Sequence, residues 1–356
     1  MKAGIFQSPY MLAPSSPRKT FDWAVEQAIF ADEIGLHEYW VAEHSTVTLE
    51  EIPSPELVIA AAARHTKSIV LAPGAHLLPY HNPATLAIQT AWLSNILQGR
   101  YMLGIGPGAF PNDGLVHGHL DLTENPAMQE EAIEVIEKVW KAEPFHFEGK
   151  YFKAGFPDDD PKGSVRDTRP WGGRIEIAMT TLSPNSRSVK LAGARGYSPI
   201  SFYAGDELLK NHWETYDAAS REAGRQAERS KIRSCRELFV ASTDSEAREL
   251  ALGGTLAQVW AERILPIYKS AGLMEWIVKG LDVDPDDVDL DYLVDNVWLV
   301  GSVETVTEKI QTFVDNVGGI GTLLITDYDY TADPTAWRRS LELFAKEVVP
   351  NIKDPY

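Results

Sequence analysis

Eight short apolar runs, each beside a stretch of helical period, recur along the 356 residues of the chain. The runs fall at 3–6, 39–42, 68–72, 101–105, 176–180, 197–202, 238–241 and 322–326. The helical stretches fall at 20–34, 55–64, 83–97, 127–140, 186–194, 207–223, 303–317 and 334–348. In the first of these, Phe21, Ala24, Val25, Ala28 and Ile29 share one helix face, and Gly35 follows as a stop. The third starts on Pro83 and is followed by Gly99. Alternating strands and helices predict a parallel sheet with right-handed crossovers. Eight such units fit a closed (β/α)8 TIM barrel of the α/β class better than an open sheet, although periodicity alone leaves both possible.

Two stretches interrupt the rhythm and are expected to be insertions, one after strand 4 and one between strands 7 and 8. Residues 145–170 hold a hairpin pattern, FHFEGKYFKA, and then an acidic, Pro-rich loop, PDDDPKGSVRDTRP. The acidic run 158–160 reads as a solvated loop. Residues 255–296 read as mostly helical. On a barrel such insertions shape the top face and bear on substrate access. No internal repeat or linker composition is visible, so residues 1–356 are expected to form a single domain.

A net charge of −18 argues against nucleic acid and anionic membranes as partners. The lone cysteine, Cys235, rules out an intramolecular disulfide and disfavours a Cys-rich zinc site. No run approaches the ~18 uninterrupted apolar residues of a membrane span. MKAGIFQSPYM lacks the pattern of a secretory leader, so a cytoplasmic protein is expected.

Chemistry concentrates at the predicted strand ends, which is where parallel α/β proteins bind ligands. The segment YWVAEHS, residues 39–45, is an apolar strand that ends on Glu43 and His44. Histidine suits proton transfer near neutral pH, and the pair is the catalytic candidate. In APGAHLLPYHNP, Gly74 and Ala75 would let a flat ring approach the backbone, with His76 and His81 nearby. GIGPGAFPND, residues 104–113, lacks both common nucleotide fingerprints, and Pro107 removes one N–H. It reads as a tight turn along a flat ligand, with Gly106 and Ala109 as contacts. In AMTTLSPNSRS, residues 178–188, Thr180, Thr181, Ser183, Asn185, Ser186 and Ser188 crowd a strand-to-helix junction. N-capping explains one or two of them; the set as a whole reads as a phosphate site, with Arg187 or Arg195 as possible added charge. Tyr10, Trp40 and Phe110 are candidates for an apolar substrate wall. HGH at 117–119 has no further ligand at a familiar spacing, so no metal is expected. No G-x-S-x-G elbow is present.

These motifs resemble the bacterial luciferase-like flavin monooxygenases. The resemblance rests on AEHS (42–45), PELVIAAAARHTKSIVLAPGAHLLPYHNPATLA (55–87), GRYMLGIGPGAFPND (99–113) and NVWLVGSVETVTEKI (296–310), and runs over nearly the whole chain. TFDWA (20–24), PWGGRIEIAMT (170–180) and LVDNVWLVGS (293–302) resemble the diketocamphane monooxygenases, the FMN-dependent type II Baeyer–Villiger members. Limonene monooxygenase-like members look more distant. The resemblance implies a (β/α) barrel that binds reduced FMN, supplied by a separate NADH-dependent reductase, and uses O2. It places His44 at the family's catalytic histidine, Gly74–Ala75 at a non-proline cis peptide under the flavin ring, and the 180–186 loop at the ribityl phosphate. It also implies a homodimer through helices of the N-terminal half. Two departures stand out: luciferase proper has Cys-Arg where this chain has Gly106-Pro107, and Ser45 replaces a second histidine. Both argue against light emission.

The function expected on this basis is a two-component monooxygenase acting on a small apolar substrate, a cyclic ketone or terpene-like compound. His44, supported by Glu43, is expected to control the proton of oxygen transfer. A deazaflavin- or nicotinamide-linked oxidoreductase and a non-enzymatic flavin-binding protein remain as alternatives on the same barrel.

Overall fold

The structure is a computed structural model that describes residues 1–8, 10, 16–47, 52–158 and 165–356. Its centre is a parallel barrel. The strands are β1 (Lys2–Gln7), β2 (Glu38–Val41), β3 (Val70–Pro73, resuming as His76–Leu77), β4 (Met102–Gly106), β5 (Glu176–Thr181), β6 (Ser198–Phe202), β7 (Arg233–Arg236) and β8 (Thr322–Asp327). β1 pairs with β8 and β2, β2 with the first half of β3, and the second half of β3 with β4. β4, β5, β6, β7 and β8 then follow in order. The break in β3 lies at a cis Gly74–Ala75 bond. A parallel bridge from Leu71 to Tyr101 joins the first half of β3 to the start of β4 and closes the ring.

The seventh strand is not the one expected. Leu238–Ala241 pairs in parallel with Leu299–Ser302 in a small sheet of its own, outside the barrel. The barrel strand is Arg233–Arg236, with the sequence RSCR. It escapes hydrophobic patterning because its inward Arg233 is neutralised inside the barrel. Nε and Nη2 of Arg233 donate to both oxygens of Glu38 at 2.9 Å. Trp40 Nε1 donates to the same carboxylate, also at 2.9 Å. Paired charges of this kind are tolerated in a core that would reject a lone one.

Side chains alternate across the strands, giving two cores. Phe6, Trp40, Ala72, Met102, Ala178, Ile200, Cys235 and Leu324 fill the barrel. Ile5, Tyr39, Val41, Leu71, Leu103, Ile177 and Leu323 face the surrounding helices. This alternation is the period-two geometry of strands, and it sets which strand-end residues can reach the barrel mouth.

Both insertions form. The hairpin pairs Phe145–Glu148 with Lys153–Phe156. Of the acidic run, Asp158 is exposed and residues 159–160 lie outside the described residues. Residues 255–296 form a chain of short helices, from Thr255–Val259 to Leu290–Asn296. None of the described helices is long and apolar enough to cross a membrane.

Candidate active site

A cavity of about 420 Å3 opens at the C-terminal ends of the strands. Its walls differ in character. One side is small or hydroxylic: Gly74, Ala75, Gly106, Thr180, Thr181 and Ser186. The other is apolar and aromatic: Phe6, Phe202, Tyr203, Ile264, Tyr268 and Leu273. His44 and Phe110 lie on the lining as well.

His44 has a carboxylate partner, but not the expected one. Its Nδ1 lies 2.9 Å from Oδ2 of Asp113, a fully buried residue on the short helix Pro111–Val116. The other Asp113 oxygen accepts from Ser45 N (3.1 Å), Thr46 N (2.7 Å) and Thr46 Oγ1 (2.6 Å). Burial raises the Asp113 carboxyl, but the bonds from His44 and Thr46 outweigh it and hold the group below its ordinary value. An ionised Asp113 accepts a hydrogen bond from the Nδ1–H of His44, which fixes that tautomer and assigns proton exchange to Nε2. The His44 ring also meets Phe110 edge-on at 4.9 Å.

Glu43 also touches the cavity, but its carboxylate turns away from His44. Trp40 and Ala42 face the barrel interior while Tyr39 and Val41 face outward, and Glu43 continues the outward set. Its Oε2 lies 2.5 Å from His76 Nδ1, and its Oε1 lies 2.7 Å from His81 Nε2 and accepts from Leu77 N at 3.3 Å. Burial would raise this carboxyl, but the two imidazoles hold it at about 2. Burial likewise lowers His81, and Glu43 more than restores it, so the imidazole sits above its ordinary value. Glu43 therefore pins the segment directly after Gly74–Ala75, and the expected support of His44 by Glu43 is corrected to support by Asp113. The three ligand atoms of Glu43, His76 and His81 lie within 4.8 Å of one another. Both glutamate oxygens are already engaged at hydrogen-bond length, and the grouping reads as a charge-balanced clamp.

The small-residue wall is built closely. A Cβ on Gly106 would meet Thr180 Oγ1 at 3.3 Å and Ala75 Cβ at 3.7 Å. A Cβ on Gly74 would meet the Phe6 ring at 2.5 Å, so that position admits only glycine without rearrangement. Of the hydroxyl loop, Thr180, Thr181, Ser183, Ser186 and Ser188 line the cavity together with Ala109. The Thr181 hydroxyl is buried with no hydrogen-bond partner among the described residues.

Behind this loop stands His212, which the sequence reading passed over. Its Nε2 donates to Ser183 O at 2.9 Å, and its Nδ1 lies 2.9 Å from Ser201 Oγ. Burial pushes it down to about 4, so it stays neutral and fixes the loop by hydrogen bonding alone.

Three expected contacts lie elsewhere. Asn185 turns out at φ 50° and exchanges hydrogen bonds with Asn211 on the outer surface. Trp40 is wholly buried in the barrel, its indole committed to Glu38. His76 stands behind the cavity on Glu43 rather than on the lining. Tyr10 and Phe110 do line it. Arg187 and Arg195 are engaged by Glu130 and Glu137, away from the hydroxyl loop. In the HGH motif, His117 stacks on Tyr80 at 4.7 Å with its Nε2 2.9 Å from Ser45 Oγ, while His119 meets Tyr80 edge-on. His117 thus ties the end of the Pro111–Val116 helix to the loop after β2 and to Tyr80 after β3, and His119 packs on Tyr80.

The luciferase-like monooxygenase family matches residues 1–318. The chain is 45% identical over 361 aligned residues to 2,5-diketocamphane 1,2-monooxygenase 2 of Pseudomonas putida, covering 99% of each chain. It is 43% identical to 3,6-diketocamphane 1,6-monooxygenase of the same organism, covering 100% of this chain and 99% of the other. Among solved structures, a type II Baeyer–Villiger monooxygenase in complex with FMN superposes with a TM-score of 0.95. That protein is the oxygenating constituent of 3,6-diketocamphane monooxygenase from Pseudomonas putida; it is 44% identical and the match covers 100% of this chain and 99% of that one.

Proposed function

The chain belongs to the luciferase-like monooxygenase family, and from that premise we propose that its cavity holds FMN on the small and hydroxylic wall and an apolar substrate on the aromatic one. The enzyme is an FMN-dependent monooxygenase of small apolar compounds. A cyclic ketone, oxidised to its ring-expanded lactone, is the substrate class that the relatives support.

The residues present fit the cofactor. Gly74, Ala75 and Gly106 leave a flat face that any larger side chain would fill. The unpartnered Thr181 hydroxyl, with Ser183, Ser186 and Ser188 around it, suits the polyol and phosphate of FMN. Reduced FMN, when bound, supplies the two electrons that send one atom of O2 into the substrate and the other into water.

The protein does the rest. Glu43 holds the backbone after Ala75 in place through His76, His81 and Leu77. Asp113 fixes the His44 tautomer, and His44 Nε2 holds or releases the proton that sets whether oxygen is delivered as nucleophile or electrophile. Phe110, Tyr10 and the insertion residues Ile264, Ile267, Tyr268 and Leu273 exclude water from the apolar half. The observation that carries this reading is the single cavity that joins an Asp-oriented histidine to a side-chain-free cradle.

A separate NADH-dependent reductase would deliver the reduced flavin. A second copy of the chain would cover the outer face of the helices Pro55–Ala63 and Pro83–Leu97. Leu57, Ile88, Trp92 and Ile96 are exposed there, the last three at four-residue spacing on one face. The other side of the Pro55–Ala63 helix, with Ile59 and Ala62, is buried against the barrel.

The test is to incubate the protein with bicyclic ketones, FMN, NADH and a generic flavin reductase, and to read lactones by mass spectrometry. Lactone carrying one 18O atom from labelled O2 is expected. Tight NADH binding with hydride transfer and no oxygen incorporation would overturn the reading.

A further inference from the structure

The aromatic wall of the cavity has a polar backing that the chemistry above does not use. Glu237 follows β7 at the barrel rim and is 3% exposed. Its Oε1 accepts from the Tyr328 hydroxyl and from Trp260 Nε1 at 2.7 Å; its Oε2 accepts from Thr326 Oγ1 at 3.2 Å. The Tyr328 hydroxyl lies 3.3 Å from that of Tyr203. Tyr203 lines the cavity beside Tyr268, whose ring it meets edge-on at 5.5 Å. Its φ of 45° is the left-handed conformation that a tyrosine rarely adopts, and its N–H is held by Cys235 O at 3.1 Å. A chain of hydrogen bonds thus runs from a buried carboxyl to the cavity lining.

Counting protons along this chain gives it two senses. A phenol carries one donor hydrogen. With Glu237 ionised, Tyr328 donates to it, Tyr203 donates to Tyr328, and the Tyr203 proton is committed inward. With Glu237 protonated, the order reverses: Glu237 donates to Tyr328, Tyr328 to Tyr203, and the Tyr203 proton is available to an acceptor in the cavity. A ketone oxygen is such an acceptor.

We propose that Glu237, Tyr328 and Tyr203 act as one hydrogen-bonded unit that selects carbonyl-bearing substrates, with Tyr203 determining specificity at the cavity wall and Tyr328 and Glu237 as positioning residues. The inference rests on the monooxygenase reading and goes beyond it by naming the group that recognises the substrate oxygen. Burial raises Glu237, bonds from Tyr328, Trp260 and Thr326 oppose this, and the carboxyl comes to rest at about 7. Arg236 is the charged neighbour, its guanidinium spent on Ala204 O and Val297 O; Cys235 and Tyr330 are the other titratable groups close by. Both senses of the chain are therefore reached near neutral pH.

The test compares the wild type with Tyr203→Phe, Tyr328→Phe and Glu237→Gln, using a bicyclic ketone and a dialkyl sulfide of equal size, with FMN and a flavin reductase. Loss of one neutral hydrogen bond corresponds to roughly a fivefold to tenfold rise in ketone KM. That rise is expected in Tyr203→Phe, whereas Tyr328→Phe, which removes the inward acceptor of the Tyr203 proton, should hold the low-pH ketone KM at every pH, with sulfide KM and reduced-FMN affinity unchanged in both. In the wild type, ketone KM should rise as pH passes upward through about 7. Glu237→Gln, whose amide oxygen must face the indole N–H of Trp260 and so accepts from Tyr328 at every pH, should keep the high-pH value throughout. Calorimetric binding of the ketone to the FMN-loaded protein reads the wall without turnover. If no substrate is oxygenated, the monooxygenase reading fails. If the ketone binds wild type and Tyr203→Phe alike, or if ketone and sulfide shift together, the inference itself is wrong. Should either Phe variant not fold, a pH-dependent ketone KM retained in Glu237→Gln overturns it equally.

Discussion

His44 Nδ1 and Asp113 Oδ2 lie 2.9 Å apart although 69 residues separate them in the chain. Asp113 has no latitude to choose another partner, because the loop at Ser45 and Thr46 occupies its second oxygen. Asp113→Asn keeps the shape and removes the charge that fixes the tautomer. Product formation is expected to fall by ~100- to 10,000-fold, as for loss of a general acid/base, with His44→Ala at least as severe. Reduced FMN should still be consumed, with H2O2 in place of product. Coupled assays of product and peroxide check this; product at the wild-type rate in either variant would make His44 a structural residue.

The Glu43 clamp ties stability to pH. The native carboxyl titrates at about 2 against an ordinary 4.5, so its contribution is present above 4.5 and is lost as pH falls toward 2. His81 is raised from 6.5, so its contribution is present below 6.5 and is lost as pH rises through the raised value. Both act together between 4.5 and 6.5. There Glu43→Gln should cost about 3 kcal/mol, the scale for breaking a buried pair, and the cost should shrink toward pH 2. Thermal denaturation across pH measures it, and a pH-independent loss would point to packing instead.

The parts of this fold that could be read from the sequence are those where burial is apolar. Seven of the eight expected runs coincide with barrel strands because their inward and outward faces both need hydrophobic residues. β7 broke the rule because the Arg233–Glu38 pair satisfies charge inside the barrel, a long-range arrangement that no local pattern reveals. The site divides in the same way. His44, Gly74, Ala75, Gly106 and the hydroxyl loop are local features of strand ends. Asp113 was in plain view in GAFPND, but only the fold brings it to His44. Asn185 sits among hydroxylic neighbours in the sequence, yet its positive φ turns it outward. Ile264, Ile267, Tyr268 and Leu273 belong to an insertion whose place over the rim is a tertiary fact.

Gly106 tests the cradle directly. Its missing side chain leaves a surface bounded by Thr180, Leu77 and Ala75 at 3.3–3.7 Å from a built Cβ. A valine there would fill the space proposed for the flavin ring. Overpacking of about 1–3 kcal/mol corresponds to roughly fivefold to a hundredfold weaker binding. Reduced-FMN titration of Gly106→Val should show this with the melting temperature little changed. Unaltered affinity would place the flavin elsewhere.

The outer helix face makes a separate prediction. Trp92 and Ile96 are 56% and 50% exposed on one turn of Pro83–Leu97. If a second copy covers them, light scattering at micromolar concentration gives twice the 39.5 kDa chain mass. Trp92→Glu combined with Ile96→Lys should return the monomer with its far-UV circular dichroism intact. A wild-type mass of 39.5 kDa would contradict the dimer outright.

One buried acid, Asp327, is left idle by the chemistry. Asp327 ends β8, fully buried. It accepts from Trp337 Nε1 at 2.7 Å and from Gln27 Nε2 at 3.4 Å. Burial drives its carboxyl up to about 8; the two donors and Arg338 pull against this, and Asp329 adds to it. A carboxyl raised in the native state gives stability that is complete below its unfolded value of 3.8 and is lost as pH rises through 8. Across that window the unfolded chain binds fewer protons than the native one, so stability declines with increasing pH. Asp327→Asn removes the titrating proton while an amide oxygen still accepts from Trp337. Its melting temperature is expected to match the wild type near pH 4 and to exceed it at pH 8, by an amount that grows steadily between the two. A variant whose melting curve runs parallel to the wild type at all pH values would show that Asp327 is ionised in the native state, held by Trp337 and Gln27 more firmly than burial opposes.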